Sequence, residues 1–182
     1  MRIDTERLIL RRFEPEDTDA IVAMNANPKV MEYFAAPISR EASIAHLKRI
    51  SEHWETNGFG LLAFERCQTG QMIGFTGLTI PSYPVPASPC VEIGWRLTPD
   101  AWGKGLAFEA AQACLKWGFD KLDLKEIVSF TYKGNTPSRR LMDRLGMKRN
   151  KSDDFDHPML TADSVLLRHV LYRLVDPTPD RK

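Results

Sequence analysis

Cysteine is scarce in the 182 residues: only Cys67, Cys90 and Cys114 occur, an odd number set far apart. That pattern excludes a disulfide framework and a C-x-x-C metal clip, and leaves buried thiols in a reducing compartment as the expectation. The four histidines form no H-E-x-x-H pair, so no metal site is expected. Neither sign of charge is in excess, with 25 Lys plus Arg against 24 Asp plus Glu and a net charge of +1. Backbone recognition of nucleic acid needs a basic surplus or stripe, so nucleic acid is not an expected partner. No apolar run approaches the ~20 residues that cross a bilayer, so no membrane is expected either. The opening stretch carries Asp4 and Glu6 where a secretory leader needs basic and then apolar residues, which points to the cytoplasm. No internal repeat or linker appears, and the length suits one domain over residues 1–182.

What is present is an ordered series of periodic segments. Leu8-Ile9-Leu10, running on to Phe13, reads as a first strand. Pro15 followed by Glu16, Asp17 and Asp19 opens a helix over 15–26. A second helix is predicted over about 40–56, with Ile44, Leu47, Ile50 and Trp54 as its apolar stripe and Asn57-Gly58 at its end. Strands are predicted at 60–65, 72–80 and 91–97, close enough together to pair as antiparallel hairpins. Between the last two, four prolines in residues 81–89 require a loop. The longest helix is predicted over 104–122, with Leu106, Ala110, Ala113 and Trp117 on one side and Phe108, Ala111, Leu115 and Phe119 on the rest. A strand at 126–132, a short helix from Asn135 to Gly146, a polar loop and a final strand over about 165–174 complete the chain, and the tail after 174 is expected to fray. The order gives an α/β or α+β fold with a mixed, mostly antiparallel sheet of six to seven strands.

Chemistry concentrates in Glu92-Ile93-Gly94-Trp95-Arg96-Leu97 and the following Trp102-Gly103-Lys104-Gly105-Leu106-Ala107. A strand ends, a glycine loop turns and a long helix begins. Helix N-termini carry unpaired N–H groups and partial positive charge, and two glycines let a phosphate approach that backbone. The P-loop pattern is absent, because Lys104 precedes Gly105. The dinucleotide fingerprint fails at its third glycine, where Phe108 stands.

What remains, G-x-G-x-A between a strand and a long helix, resembles the coenzyme A loop of the GNAT superfamily of N-acetyltransferases. A second signature agrees: Asn135-Thr136-Pro137-Ser138-Arg139-Arg140-Leu141, then Leu145-Gly146-Met147. Thr5-Glu6-Arg7-Leu8 and the Glu92-Ile93-Gly94-Trp95 strand resemble the branch of the ribosomal-protein N-terminal acetyltransferases. The resemblance covers residues 4–174. It implies acetyl-coenzyme A as co-substrate, an amine acceptor that is a small molecule or a protein N-terminus, and a monomer or homodimer. It further implies a splayed central strand pair, with the backbone of Trp95 and Leu97 on the pantetheine arm. The amides of Gly103, Lys104, Gly105, Leu106 and Ala107 would hold the pyrophosphate, and Asn135 would touch the pantetheine or thiol end. Arg139 or Lys133 would meet the ribose phosphate, or serve only as a solvated helix face. Where the family often has Gln or Arg, Trp102 stands here and supplies no phosphate contact. Trp102, Phe108, Trp117, Leu141 and Leu145 are otherwise expected in the core.

Acetylating an amine requires a neutral nucleophile and a protonated thiol leaving group. An α-amino group with pKa about 8 needs less help than a lysine near 10.4. Glu92 is the first candidate base, since on an alternating strand it shares a face with Gly94 and Arg96. The alternative is a glutamate tied up in an ion pair with Arg96. His157, Asp154 and Asp156 of the polar loop are rivals. The family's acid is a tyrosine at the position of Met142, which has no proton to give, so Ser138 in the first turn of that helix is the candidate donor. Its alternative is a purely capping role. A coenzyme A-binding sensor without catalysis is the second reading of the whole chain. Tyr33, Phe34, Tyr83 and Trp54 either shape the acceptor site or merely pack.

Overall fold

The computed structural model of the chain describes residues 1–177. The alternation at Leu8 and Leu10 buries both side chains completely, each worth about 2 kcal/mol, and makes β2 (Leu8–Arg11), which pairs with a short β1 (Arg2–Asp4). Pro15–Asp17 forms a single 3-10 turn before α1 (Thr18–Ala26). Helix α2 (Arg40–Asn57) starts at Ser39, whose hydroxyl accepts from the Ala42 N–H, and stops at Gly58 in the left-handed conformation at φ 73°. The strands β3 (Leu61–Arg66), β4 (Met72–Thr79) and β5 (Glu92–Leu97) follow, then α3 (Leu106–Leu122), β6 (Glu126–Tyr132), α4 (Thr136–Arg144), β7 (Lys148–Arg149), β8 (Phe155–Asp156) and β9 (Arg168–Val175).

These strands build one sheet in the order β1-β2-β3-β4-β5-β6-β9-β7, with β8 beside β9. Every pairing is antiparallel except β5 with β6. The mixed, mostly antiparallel α/β fold is thus as expected, but nine strands among the described residues replace six to seven. The additional strands are two or three residues long, too short for periodicity to register. The last strand begins at Arg168 rather than 165, because 157–167 are held in successive turns. Helix α3 begins at Leu106 rather than 104, because Gly105 at φ 76° cannot continue a right-handed helix. The tail expected to fray after 174 is ordered at its start, where Val175 closes β9 and the Asp176 N–H donates to the Lys125 carbonyl at 2.9 Å; from 178 onward it lies outside the described residues.

Helix α3 covers one face of the sheet. Ala110, Ala111, Cys114 and Leu115 pack there on Leu8, Leu10, Phe64, Ile93 and Ile127. The approach is close at Gly118, where a Cβ would stand 2.7 Å from Leu78 and 3.0 Å from Ile127. Helix α1 covers part of the other face, with Ile21 and Met24 against Ala63 and Phe75. In α2 the inward stripe is Ser43, Leu47, Ile50 and Trp54, at i, i+4, i+7 and i+11. Ile44 therefore points outward at 46% exposure, contrary to its expected core role. Cys67 is also exposed rather than buried. Beyond α1, the proline loop folds over β6 and β9, where Val85 and Tyr83 meet Val128, Phe130 and Phe155.

Candidate active site

The sheet parts at its centre. Strands β5 and β6 share a single rung, Glu92 opposite Val128, beside the Val128 N–H donating to the Val91 carbonyl at 2.9 Å. From Ile93 to Leu97, β5 is paired with β4 alone. The backbone edges of Trp95 and Leu97 therefore face a wedge. The Trp95 indole spans it, donating to Ser138 Oγ on α4 at 3.1 Å. Ser138 thus accepts one hydrogen bond and keeps its own O–H to give. Trp102 is 46% exposed instead of buried. The reason is local: its indole N–H is anchored on the Leu97 carbonyl at 3.0 Å, which holds the ring at the wedge mouth.

At that mouth Gly103 and Gly105 adopt φ 71° and 76°, a conformation that side-chain-bearing residues rarely take. The backbone N–H groups from Gly103 through Phe108 donate to nothing among the described residues; the first helical bond is Glu109 N–H to the Gly105 carbonyl at 3.1 Å. A Cβ at Gly103 would meet no atom within 4 Å. A run of unpaired donors at the positive end of a 17-residue helix fits a pyrophosphate. Lys104 is exposed beside them. The loop is braced by residues not assigned that role from the sequence. Arg7 donates to the Lys104 carbonyl at 2.9 Å and pairs with Glu109 at 2.6 Å, while the Thr5 hydroxyl donates to Glu109 at 2.7 Å. Burial alone would push the Glu109 acid up, but the hydrogen bonds from Thr5 and Arg7 outweigh it and hold the carboxyl below its usual range. Thr5 and Arg7 stood in the opening stretch that carried the resemblance; nothing in the sequence marked Glu109.

Asn135 caps α4, accepting from the Ser138 N–H at 3.2 Å, and its amide donates to Thr131 at 3.0 Å. One amide hydrogen is left for any ligand. Met142 is 1% exposed, inside the core with Cys114 and Leu106. Arg139 donates to the Lys133 carbonyl at 2.9 Å. Arg144 lies over the Phe108 ring at 4.3 Å, so Phe108 covers a helix junction rather than sitting deep in the core.

The opposite face of the wedge carries Glu92. Its side chain is half-buried and makes no hydrogen bond among the described residues, and burial pushes its carboxyl up to about 8. No ion pair joins it to Arg96, whose guanidinium turns away to donate to Asn25 Oδ1 at 2.6 Å. The loop rivals are occupied. Asp154 is paired with Arg149, and Asp156 with Arg168 at 3.2 Å. His157 accepts from the Met159 N–H at Nδ1, so its ring hydrogen sits on Nε2 and donates to the Tyr83 hydroxyl at 2.7 Å. Burial lowers the His157 pKa, which keeps the ring neutral at pH 7. Among the aromatic candidates, Trp54 is a core residue donating to the Leu61 carbonyl, whereas Tyr33 lies tilted beside Tyr132, ring centroids 6.4 Å apart, and Phe34 covers Arg96.

Comparison with known proteins agrees with this architecture. Residues 7–148 match the acetyltransferase (GNAT) domain. The chain is 31% identical over 150 residues to the uncharacterized N-acetyltransferase YnaD of Bacillus subtilis, covering 82% of this chain and 84% of that one. Its fold superposes on a GNAT-family acetyltransferase from Bacillus anthracis with a TM-score of 0.78, at 26% identity over 96% and 98% of the two chains. It also superposes on RimL, a ribosomal L7/L12 α-N-protein acetyltransferase solved with coenzyme A, with a TM-score of 0.78, covering 96% of this chain and 98% of that one; at 16% identity this likeness concerns the fold alone. The chain belongs to the GNAT acetyltransferase family. It is an N-acetyltransferase that uses acetyl-coenzyme A as co-substrate. Among the described residues no helix is long and apolar enough to cross a membrane.

Proposed function

We propose that this enzyme acetylates a primary amine, of a small molecule or a protein N-terminus, by direct attack within a ternary complex, with Glu92 as general base. The observation that carries the reading is the unpaired Glu92 carboxyl at the apex of the wedge, on the face opposite the Trp95–Ser138 bridge. The two reactants then approach from opposite sides of the sheet. Coenzyme A brings the activated acetyl thioester when bound. The N–H groups of Gly103, Lys104, Gly105, Leu106 and Ala107 hold its pyrophosphate, and the backbone of Trp95 and Leu97, whose carbonyl also accepts from Trp102, aligns its amide arm. Asn135 supports the thiol end by fixing the first turn of α4.

Glu92, at about 8, matches an α-ammonium of similar pKa, so the proton moves between them at little cost. The Ser138 O–H is free to donate toward the leaving sulfur, held in place by Trp95. A thiol of pKa near 8.5 beside a helix N-terminus leaves readily, so a weak donor suffices.

A second reading, a coenzyme A sensor without turnover, draws on one observation: the family's usual acid position is the core residue Met142. Two measurements separate them. Acetyl-coenzyme A at ~100 times its dissociation constant should add about 2.7 kcal/mol of stability, seen as a rise in melting temperature that Gly105→Asp abolishes. Coenzyme A release that requires both acetyl-coenzyme A and an amine then supports catalysis. Ligand-induced stabilisation without release across a broad amine panel refutes it in favour of the sensor.

A further inference from the structure

Resting on that reading, we propose that the acceptor is an amine that also carries an anionic group, carboxylate or phosphate, and that Arg96 receives the anion while the amine sits at Glu92. Three features of the acceptor face lead there. The first is a half-buried cation with no acid. Arg96 donates from Nη1 to the neutral Asn25 side chain at 2.6 Å, its Nε is buried with no partner, and its Nη2 makes no hydrogen bond among the described residues. Its guanidinium lies 4.2 Å from the Phe34 ring centroid and 5.3 Å from that of Phe75. Burial alone lowers its pKa, to about 10, and no neighbouring carboxylate offsets this.

A purely structural arginine is treated differently elsewhere in the same chain. Arg11 is flanked by Asp17 at 2.7 Å and Glu65 at 2.9 Å, and Arg173 by Glu126 and Asp153. Desolvated charges are retained where a counter-charge meets them. Asn25 is itself fully buried and donates to Ser43 at 3.1 Å, so a fixed polar chain aims Arg96 without neutralising it.

The second feature is the space between the two charged ends. Glu92, Gly94 and Arg96 share one face of β5, opposite Thr79, Gly77 and Phe75 of β4. A Cβ at Gly94 would meet no atom within 4 Å, so the floor between the carboxyl and the guanidinium is open. The third is length. Four residues of strand separate the two Cα atoms by roughly 13 Å, and Arg96 leans further toward α1. The amine and the anion of the acceptor are therefore separated by a chain of several atoms, longer than in an α-amino acid.

The test is equilibrium binding, by calorimetry, to the coenzyme A-loaded enzyme. The probes are ω-amino carboxylates of graded chain length, the matching ω-amino phosphonates, neutral alkylamines of equal length, and tripeptides with acidic or neutral third residues. Anionic amines are expected to bind roughly 10- to 100-fold more tightly than neutral ones, the range for a charge-assisted hydrogen-bond pair. Whichever anionic series leads identifies the source of the anion. The advantage should collapse in Arg96→Met, which keeps the apolar stem, and in Asn25→Asp, which supplies an internal counter-ion without removing the arginine. Arg96→Lys should retain part of it. Equal affinities for anionic and neutral amines in the wild-type enzyme, or an unchanged ratio in Arg96→Met and Asn25→Asp, would overturn the proposal. Because binding needs no turnover, an enzyme that binds these amines selectively but never acetylates them would sink the catalytic reading and leave this one standing.

Discussion

Replacing Glu92 with glutamine should stabilise the protein at high pH and cripple it as a catalyst. Burial raises the folded-state pKa of this acid from an ordinary 4.5 to about 8. Each tenfold change in acidity is worth about 1.4 kcal/mol, so ionised Glu92 costs the fold roughly 5 kcal/mol, an upper figure because water drawn to the charge relieves part of it. The sign follows from proton counting. Between pH 4.5 and 8 the folded state keeps a proton that the unfolded chain releases, so stability falls as pH rises through this window and levels off above it. Glutamine removes the titration. Urea denaturation of both proteins from pH 5 to 9 should show little difference at the acid end. At pH 9 the variant should be ahead by about 2–5 kcal/mol, or several degrees in melting temperature. Its kcat/KM should fall roughly 10²- to 10⁴-fold, with loss of the ionisation near 8 from the pH profile. A stability difference that stays constant across the pH range would refute the claim that Glu92 titrates high. Unchanged kcat/KM at every pH would remove it from the proton transfer.

Two further outcomes test the surroundings. Met142→Tyr restores the family's usual acid residue, yet the site is a filled core position; the expected result is a loss of about 1–3 kcal/mol in denaturant titration with no gain in turnover. Asn135→Ala removes both the cap on α4 and the bond to Thr131, and should cost about 1–2 kcal/mol while weakening acetyl-coenzyme A binding in the same thermal assay.

Elements whose signals are local were legible in the sequence. Gly58 ends α2, Gly146 ends α4 at φ 82°, and the proline-rich segment is a loop. The shared face of Glu92, Gly94 and Arg96 follows from strand alternation alone. What could not be read depends on partners distant in the chain. The brace of Thr5 and Arg7 on Glu109 joins residues about a hundred positions apart. The absence of a Glu92–Arg96 ion pair depends on Asn25 drawing the guanidinium toward α1. Ile44 was misplaced because an apolar residue one position off the stripe looks the same in a periodicity count, while the buried member of the stripe is the polar Ser43. Trp102 reads as core by default, yet its indole N–H finds the Leu97 carbonyl and the ring stays exposed.

The single rung between β5 and β6 carries a mechanical meaning. Two rods joined at one point can swing apart only about that point, and displacement grows with distance from it. Any widening of the wedge would therefore be greatest at Leu97, at the far end of β5, and would have to stretch the Trp95–Ser138 bridge. Glu92, on the rung itself, travels least. The geometry thus ties the carboxyl at the apex to both halves of the sheet and leaves the mouth as the least constrained part of the junction.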